Sequence, residues 1–305
     1  MNIRDLQYIL AIETHGSVTR AAEACEVTQP TLSAQVAKLE RELGIVIFER
    51  DGRGLRVTAA GRTVLDHARR IVGAVDDLHA ATQQHLDPLA GELRLGLIPT
   101  LAPYLLPSLL PALRDQLSRI TISIVEEQTA LLVEHVRSGN LDAAMIATDE
   151  EDDRLASLAL FDEPLWVALC NDHPLAANDA IEAGQLEAAT LLLLSEGHCL
   201  RDHALALCND RALGVNVPGD FRAASLETIL NLVEAGLGVT LVPELCLNGA
   251  RLRGRTLAVR PLSGDGVHRG IRLIYRRSSP RAVLLSRLAH VTRNVWNGHE
   301  TLPVR

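Results

Sequence analysis

The sequence predicts an α/β protein built as an N-terminal winged helix-turn-helix, a long linker helix and a two-lobed α/β domain. Three observations predict it. The first 58 residues hold short apolar runs at helical spacing with turn residues between them; an apolar stripe then repeats at four and three residues from Val64 to Thr82; and from Gly91 strands and helices alternate. The expected boundaries are 1–58, 59–90 and 91–305, with one lobe at about 91–161 and 266–305 and the other at about 162–265.

Ile3, Leu6 and Leu10 fall at helical spacing, and Gly16-Ser17 supplies a stop and a new N-cap. Val18 to Cys25 is short and alanine-rich (Ala21, Ala22, Ala24), which lets a neighbouring helix approach closely, as a tight helix-turn-helix requires. Thr28 is placed to cap a third helix with Pro30 in its first turn, an apolar stripe of Leu32, Val36, Leu39 and Leu43, and Gly44 at its end. Its other face carries Gln29, Thr31, Ser33, Gln35 and Lys38, short polar groups that reach base edges and phosphates when such a helix start enters a major groove.

Ile45 to Glu49 then reads as a strand, Asp51-Gly52-Arg53-Gly54 as a turn and Leu55 to Thr58 as the returning strand. This hairpin is a basic wing, whose Arg50, Arg53 and Arg56 would contact phosphates independently of sequence. Thr58 caps a helix running to about Leu86, ~43 Å long, with Val64, Ala68, Ile71, Val75, Leu78 and Thr82 as a coiled-coil seam. A small winged domain cannot cover so long a stripe, so the helix reads as a dimerisation arm, ended by Asp87-Pro88 and Gly91.

Net charge is −8, which argues against a protein coated in basic surface, and Lys38 is the only lysine among 30 basic residues. No apolar run approaches the roughly 20 residues of a membrane span. Without a targeting segment the expectation is a soluble, cytoplasmic chain with no metal and no cofactor.

Residues 1 to about 86 resemble the DNA-binding domain and linker helix of LysR-type transcriptional regulators, on Ala21-Ala22, Gln29-Pro30-Thr31-Leu32-Ser33 and Leu43-Gly44 through Phe48-Glu49-Arg50. The resemblance implies double-stranded DNA with two-fold related half-sites as a partner, RNA polymerase as a further one, and a homodimer or homotetramer.

Beyond Gly91, expected strands are Leu93 to Ile98, Ile120 to Val125, Leu141 to Ala147, Leu165 to Cys170, Leu191 to Leu194, Phe221 to Ala224, Val239 to Val242 and Ile271 to Tyr275. Expected helices begin at Ala102 and about Ala130. Ligands of open α/β sheets bind beyond the carboxyl ends of strands, where Thr100, Thr129 and Gly197-His198-Cys199 stand. Each threonine reads equally well as an N-cap. Paired lobes of this kind are similar to periplasmic solute-binding proteins, the architecture of LysR-type effector domains.

Five cysteines fit no disulfide framework, and Cys25, Cys170 and Cys246 read as core or near-core thiols. Cys199 and Cys208 differ, because the stretch between them reads as helix. Nine residues of helix separate two Cα atoms by ~13.5 Å on nearly opposite faces, whereas a disulfide needs them within roughly 7 Å. If they bond, the segment must refold, which makes the pair a candidate redox switch; the bland alternative is two buried structural thiols.

Peroxide-sensing LysR-type regulators resemble nearly the whole chain, on Ile98-Pro99-Thr100 with Pro103-Tyr104-Leu105-Leu106-Pro107, Gly197-His198-Cys199-Leu200-Arg201-Asp202 with Cys208, and Phe221-Arg222-Ala223 with Ser225-Leu226-Glu227-Thr228. The resemblance implies a peroxidatic Cys199, a resolving Cys208, a peroxide pocket of Thr100, Thr129, His198 and Arg269, and a cellular disulfide reductant. The chain departs from the family's pattern between Cys208 and Phe221, where it is longer and Asp220 replaces an expected histidine. An arginine beside Cys199 would lower its pKa. The competing readings are a LysR-type regulator answering a small organic effector, with structural cysteines, and a thiol peroxidase, which would need neither wing nor linker helix.

Overall fold

The computed structural model describes residues 1–51, 54–84, 87, 89–207, 225–247, 255–264 and 266–298. They form two compact units, Met1–Leu86 with Arg137–Asn140, and Asp87–Val136 with Leu141–Arg305.

In the first unit α1 (Ile3–His15) starts at an Asn2–Asp5 capping box and ends at Gly16, whose φ of 60° is a left-handed stop. Ser17 opens α2 (Val18–Ala24), where Ala21 and Ala22 are buried and give the close helix approach their size suggests. In α3 (Gln29–Leu43) Leu32, Val36 and Leu39 are buried, while Leu43, expected on the same stripe, is exposed at the last turn. Thr28 occupies the N-cap without capping, because its hydroxyl pairs with that of Thr31 at 2.8 Å.

The wing is β1 (Phe48–Asp51) paired antiparallel with β2 (Gly54–Val57). The first strand therefore starts later than expected. Ile47 is fully buried in the helical core with Ile45 packed against it, Val46 is exposed, and the Glu40 carboxylate takes the N–H groups of Ile47 and Phe48 at 2.7 and 3.2 Å, so the stretch serves the core before the strand begins. Gly52 and Arg53 at the turn lie outside the described residues, as do Leu86 and Pro88. Thr58 caps α4 (Ala59–Gln84), accepting the Gly61 N–H at 2.9 Å. The expected single seam divides along this helix. Leu65 and Ala68 are buried in the unit's own core, whereas Ile71 and Leu78 are 42% and 62% exposed.

The second unit is organised by one sheet. β3 (Gly91–Leu97), β4 (Ile120–Glu126) and β5 (Ala143–Ile146) run parallel, joined through α5 (Ala102–Gln116) and α6 (Thr129–Ser138). Then come β6 (Leu155–Cys170), β7 (Ile181–Glu182), α7 (Cys199–Leu207), α8 (Leu226–Glu234), β8 (Thr240–Pro243), α9 (Glu244–Leu247), β9 (Leu257–Ser263), β10 (His268–Arg276) and α10 (Ala282–Asn297). The order is β4-β3-β5-β10-β6-β9-β7, with β8 also pairing β6. The expected strand at 271–275 lies within β10, antiparallel to both β5 and β6.

Two expectations fail here. Only Leu165 to Cys170 of the 16-residue β6 read as strand, since Asp162-Glu163-Pro164 broke the apolar pattern; the Glu163 charge is in fact neutralised across the ladder by Arg269, directly opposite it. Leu191 to Leu194 makes only an isolated bridge, Leu191 to Val239. The strand expected at Phe221 to Ala224, Cys208 and Asp220 all lie outside the described residues. On β6 Phe161 stacks on Trp296 of α10 with ring centroids 4.3 Å apart.

Candidate functional site

Parallel β3 and β4 are neighbours, so Thr100 and Thr129, each a few residues past a strand end, emerge on one edge of the sheet. β10 runs antiparallel to β5, which brings its first residues, Arg269 among them, to that edge too. Neither threonine caps a helix. The α5 N-cap position falls to Leu101, and Thr129 is the first residue of α6 with its Oγ1 buried and unpaired.

Thr100 is spent on Arg269 instead. The Arg269 Nη1 donates to Thr100 Oγ1 at 2.7 Å and Nη2 to the Thr100 carbonyl at 2.9 Å, while Nε donates to Glu163 Oε2 at 2.9 Å. Arg269 and Glu163 are both 0% exposed, and the other Glu163 oxygen accepts the Leu245 N–H at 2.9 Å. A buried ion pair survives only when its remaining hydrogen-bonding capacity is filled in this way; removing one partner costs about 3–5 kcal/mol.

Cys199 is the first residue of α7, preceded by Gly197 at φ 91°. A Cβ at that glycine would meet Gln128 Oε1 at 2.4 Å, and Gln128 Nε2 donates to the Glu196 carbonyl at 3.3 Å, so the residue before Thr129 is seated against the loop before Cys199. The Cys199 thiol is 4% exposed. Burial holds it above the ordinary thiol value, against the opposing pull of Arg269, the Thr129 hydroxyl and the Leu200 amide, with Asp202 adding slightly to the rise. The expectation that an arginine would leave a lowered pKa is corrected: Arg269 acts in that direction, and desolvation outweighs it. Thr129 faces the sulfur without meeting the geometry of a full hydrogen bond.

His198 is buried with its Nδ1 unpaired, and burial alone lowers its pKa, keeping the ring neutral. The structure thus brings together Cys199, Thr100, Thr129 and Arg269, with His198 buried next to Cys199 in the chain and its ring joined to none of them by a hydrogen bond. Sequence reasoning missed Glu163, Gln128 and His203. His203 stands one turn past Cys199 and lines a cavity of about 400 Å³ with Asp162, His268 and Arg272. Glu163 and Arg269 are 106 residues apart and become neighbours only through the strand register, so no local signal pairs them.

Cys199 and Leu207 open and close one helix, placing their Cα atoms ~12 Å apart. Cys208, the next residue, lies outside the described residues; a disulfide to it needs Cα atoms within roughly 7 Å.

In the first unit the start of α3 exposes Pro30 and Thr31, with Lys38 exposed further along, while Gln29, Ser33 and Gln35 are half-buried. The Gln29 amide donates to Ser33 Oγ at 2.8 Å, which joins two of the predicted reading residues into one unit. Arg56 is exposed on β2 opposite Glu49; the side chain of Arg50 and all of Arg53 lie outside the described residues.

Residues 3–62 match the bacterial regulatory helix-turn-helix protein, lysR family, and residues 87–297 match the LysR substrate binding domain. The chain is 39% identical over 299 residues, 98% of its length and 97% of the relative's, to the DNA-binding transcriptional dual regulator OxyR of Escherichia coli K12. Among solved structures, a full-length OxyR from Pseudomonas aeruginosa carrying a cysteine-to-aspartate change superposes with TM-score 0.77 at 34% identity, covering 96% of this chain and 95% of that one. A cysteine-to-serine mutant of Corynebacterium glutamicum OxyR with hydrogen peroxide bound gives 0.67 at 33% identity, covering 97% and 92%. The chain belongs to the LysR family of bacterial transcriptional regulators, in its OxyR branch.

Proposed function

We propose that the protein is a cytoplasmic transcriptional regulator that senses hydrogen peroxide at Cys199 and stores the signal as a Cys199–Cys208 disulfide. The observation that carries this is the thiol at the start of α7, buried beside the Thr129 hydroxyl, whose hydrogen-bonding capacity is unspent, and within the influence of the fixed Arg269 guanidinium.

The reaction balances within that pocket. The Cys199 sulfur attacks one peroxide oxygen, the O–O bond breaks, and the thiol proton reaches the departing oxygen, giving a sulfenic acid and water. Thr100 accepts from Arg269 at its oxygen and keeps its O–H to donate, and Thr129 and His198 supply further polar contacts for orienting the peroxide and relaying the proton. The Cys208 thiol then displaces water from the sulfenic acid to form the disulfide, and a cellular dithiol reverses it by exchange. Because the bond cannot close while α7 is helical, oxidation unwinds α7; this is the signal.

Base-edge reading is assigned to Gln29, Pro30, Thr31, Ser33, Gln35 and Lys38, and phosphate contacts to Arg50, Arg53 and Arg56, on DNA with two-fold related half-sites. Pairing of two chains uses the exposed Ile71 and Leu78 of α4 with the half-buried Val75. RNA polymerase is the downstream partner in this reading.

The test combines peptide mass spectrometry with limited proteolysis across residues 195 to 225 after stoichiometric peroxide. A Cys199–Cys208 linked peptide and new cleavage within α7 are expected, and Cys208→Ser should give a Cys199 sulfenic acid without that cleavage. Wild-type cleavage in Cys208→Ser shows that oxidation of Cys199 alone suffices and ends the disulfide mechanism.

A further inference from the structure

We propose that Glu163 is a positioning residue for the peroxide reaction: it clamps the Arg269 guanidinium against Thr100, so that the Thr100 hydroxyl is left as a donor toward the peroxide and the charge felt at Cys199 is held in check. This rests on the reading of Cys199 as the peroxide-reactive thiol.

The geometry leaves the guanidinium no freedom. Its Nε and Nη2 both lie against Glu163 Oε2, at 2.9 and 2.8 Å, and its Nη1 and Nη2 reach the hydroxyl and carbonyl of Thr100 at 2.7 and 2.9 Å. A hydroxyl has one hydrogen and two lone pairs. With an N–H donated into its oxygen, Thr100 has its own hydrogen free for another acceptor, and a peroxide oxygen is one. Glu163 is in turn fixed, because its second oxygen holds the Leu245 amide at 2.9 Å and the whole carboxylate is out of water. The clamp spans β6, β10 and the start of α9, three elements that no segment of sequence joins.

The same carboxylate moderates the field at Cys199. An arginine with a carboxylate in contact acts at a distance as a dipole, and its pull on a thiolate is weaker than that of a lone cation. The other charged group acting on the sulfur is Asp202, which opposes ionisation; of the nearby histidines, His203 meets the Cys199 backbone and His198 adjoins it in the chain, and burial lowers the pKa of both. Removing the Glu163 charge while keeping its shape should therefore do two things of opposite sign: favour the Cys199 thiolate, and slow its reaction with peroxide by releasing Arg269 from Thr100.

The experiment measures, in the full-length protein, the pH midpoint of Cys199 alkylation and the second-order rate of its oxidation by peroxide, for wild type, Glu163→Gln and Glu163→Asp. For Glu163→Gln the alkylation midpoint should fall, the high-pH alkylation plateau should match wild type, and peroxide oxidation should slow at least tenfold. A residue that merely held the fold would raise the plateau by exposing the thiol. Glu163→Asp keeps the charge on a shorter arm, so its midpoint should stay with wild type while its peroxide rate falls at least fivefold; should the glutamine variant not fold, this comparison decides alone. A peroxide rate within twofold of wild type in either variant, or an unmoved or raised midpoint in Glu163→Gln, overturns the positioning role. A wild-type Cys199 inert to peroxide overturns the sensing reading as well, and so the two failures are told apart.

Discussion

The start of α7 and the start of α9 each bury one cysteine within the influence of the same guanidinium, and the two thiols differ in nearly everything else. Cys199 is opposed in its burial by Arg269 first, then by the Thr129 hydroxyl and the Leu200 amide. Cys246, 0% exposed, is pushed up to about 12 by burial; the Tyr104 hydroxyl is the main opposing group, and the carboxylates of Glu163 and Glu227 add to the rise. Solvent access does not separate them. What separates them is the set of groups at each sulfur: Arg269, a hydroxyl and an amide at Cys199, against one hydroxyl, two carboxylates and the weakest influence of Arg269 at Cys246.

The largest test of that difference is deletion of each thiol. Cys199→Ser should reduce peroxide consumption at least ~100-fold, since a serine hydroxyl is a far weaker nucleophile. Cys246→Ala should leave the rate within about twofold and cost roughly 1 kcal/mol of stability through the small cavity it leaves. Stopped-flow peroxide consumption with a thermal melt of each variant reads both; a Cys246→Ala chain as slow as Cys199→Ser would mean the two thiols act together.

A smaller effect is expected from Thr129→Val, which keeps the shape and removes the hydroxyl beside Cys199. Alkylation of Cys199 should shift to higher pH and its peroxide reaction should slow about tenfold, the scale of one hydrogen bond to a charged group. Cys246 should not respond. If peptide-resolved alkylation moves both cysteines equally, the hydroxyl acts through the fold and not on one sulfur.

The smallest effects lie in the pH dependence of stability. A thiol whose folded pKa is raised contributes stability that is complete below its unfolded value, near 9.0, and is lost progressively as pH rises from there through the folded value. Cys246 is shifted to about 12, so Cys246→Ala should flatten the alkaline fall in Tm. On the acid side His198 and His203 are depressed below the ordinary 6.5; their contribution is complete above it and is lost as pH falls, because the unfolded chain takes up protons first. His198→Asn should therefore flatten the acid limb. An unchanged slope there would mean that His198 charges in the fold as easily as out of it.

How much of this was legible depended on whether the cause was local. Gly16, Gly44, Ser17 and Thr58 act within a turn of their own positions, and the helices they bound fall where the sequence put them. The motif Gly197-His198-Cys199 was equally visible, because the helix after it follows from its own residues. Ile45 to Ile47 misled because it has strand composition while Ile45 and Ile47 are claimed by the helical core and Glu40. Ala68 misled for the converse reason: it repeats at seam spacing and is used inside its own unit. Glu163 was invisible altogether, since an acid in the middle of an apolar strand becomes sensible only once Arg269 stands opposite.

That same strand bears on how a message travels through the domain. β6 runs 16 residues, laddered to β10 from Leu155 to Pro164 with a bulge at Leu160, and to β8 and β9 from Leu165 on. In mechanical terms it is a splint across the middle of the sheet. A receptor that clamps shut on its ligand like a jaw needs a soft joint at that place, and here one strand carries through the point where its ladder partners change. Cys199 opens the nine-residue α7 within the influence of Arg269, which stands opposite Glu163 of this strand, so chemistry at that thiol acts next to the splint.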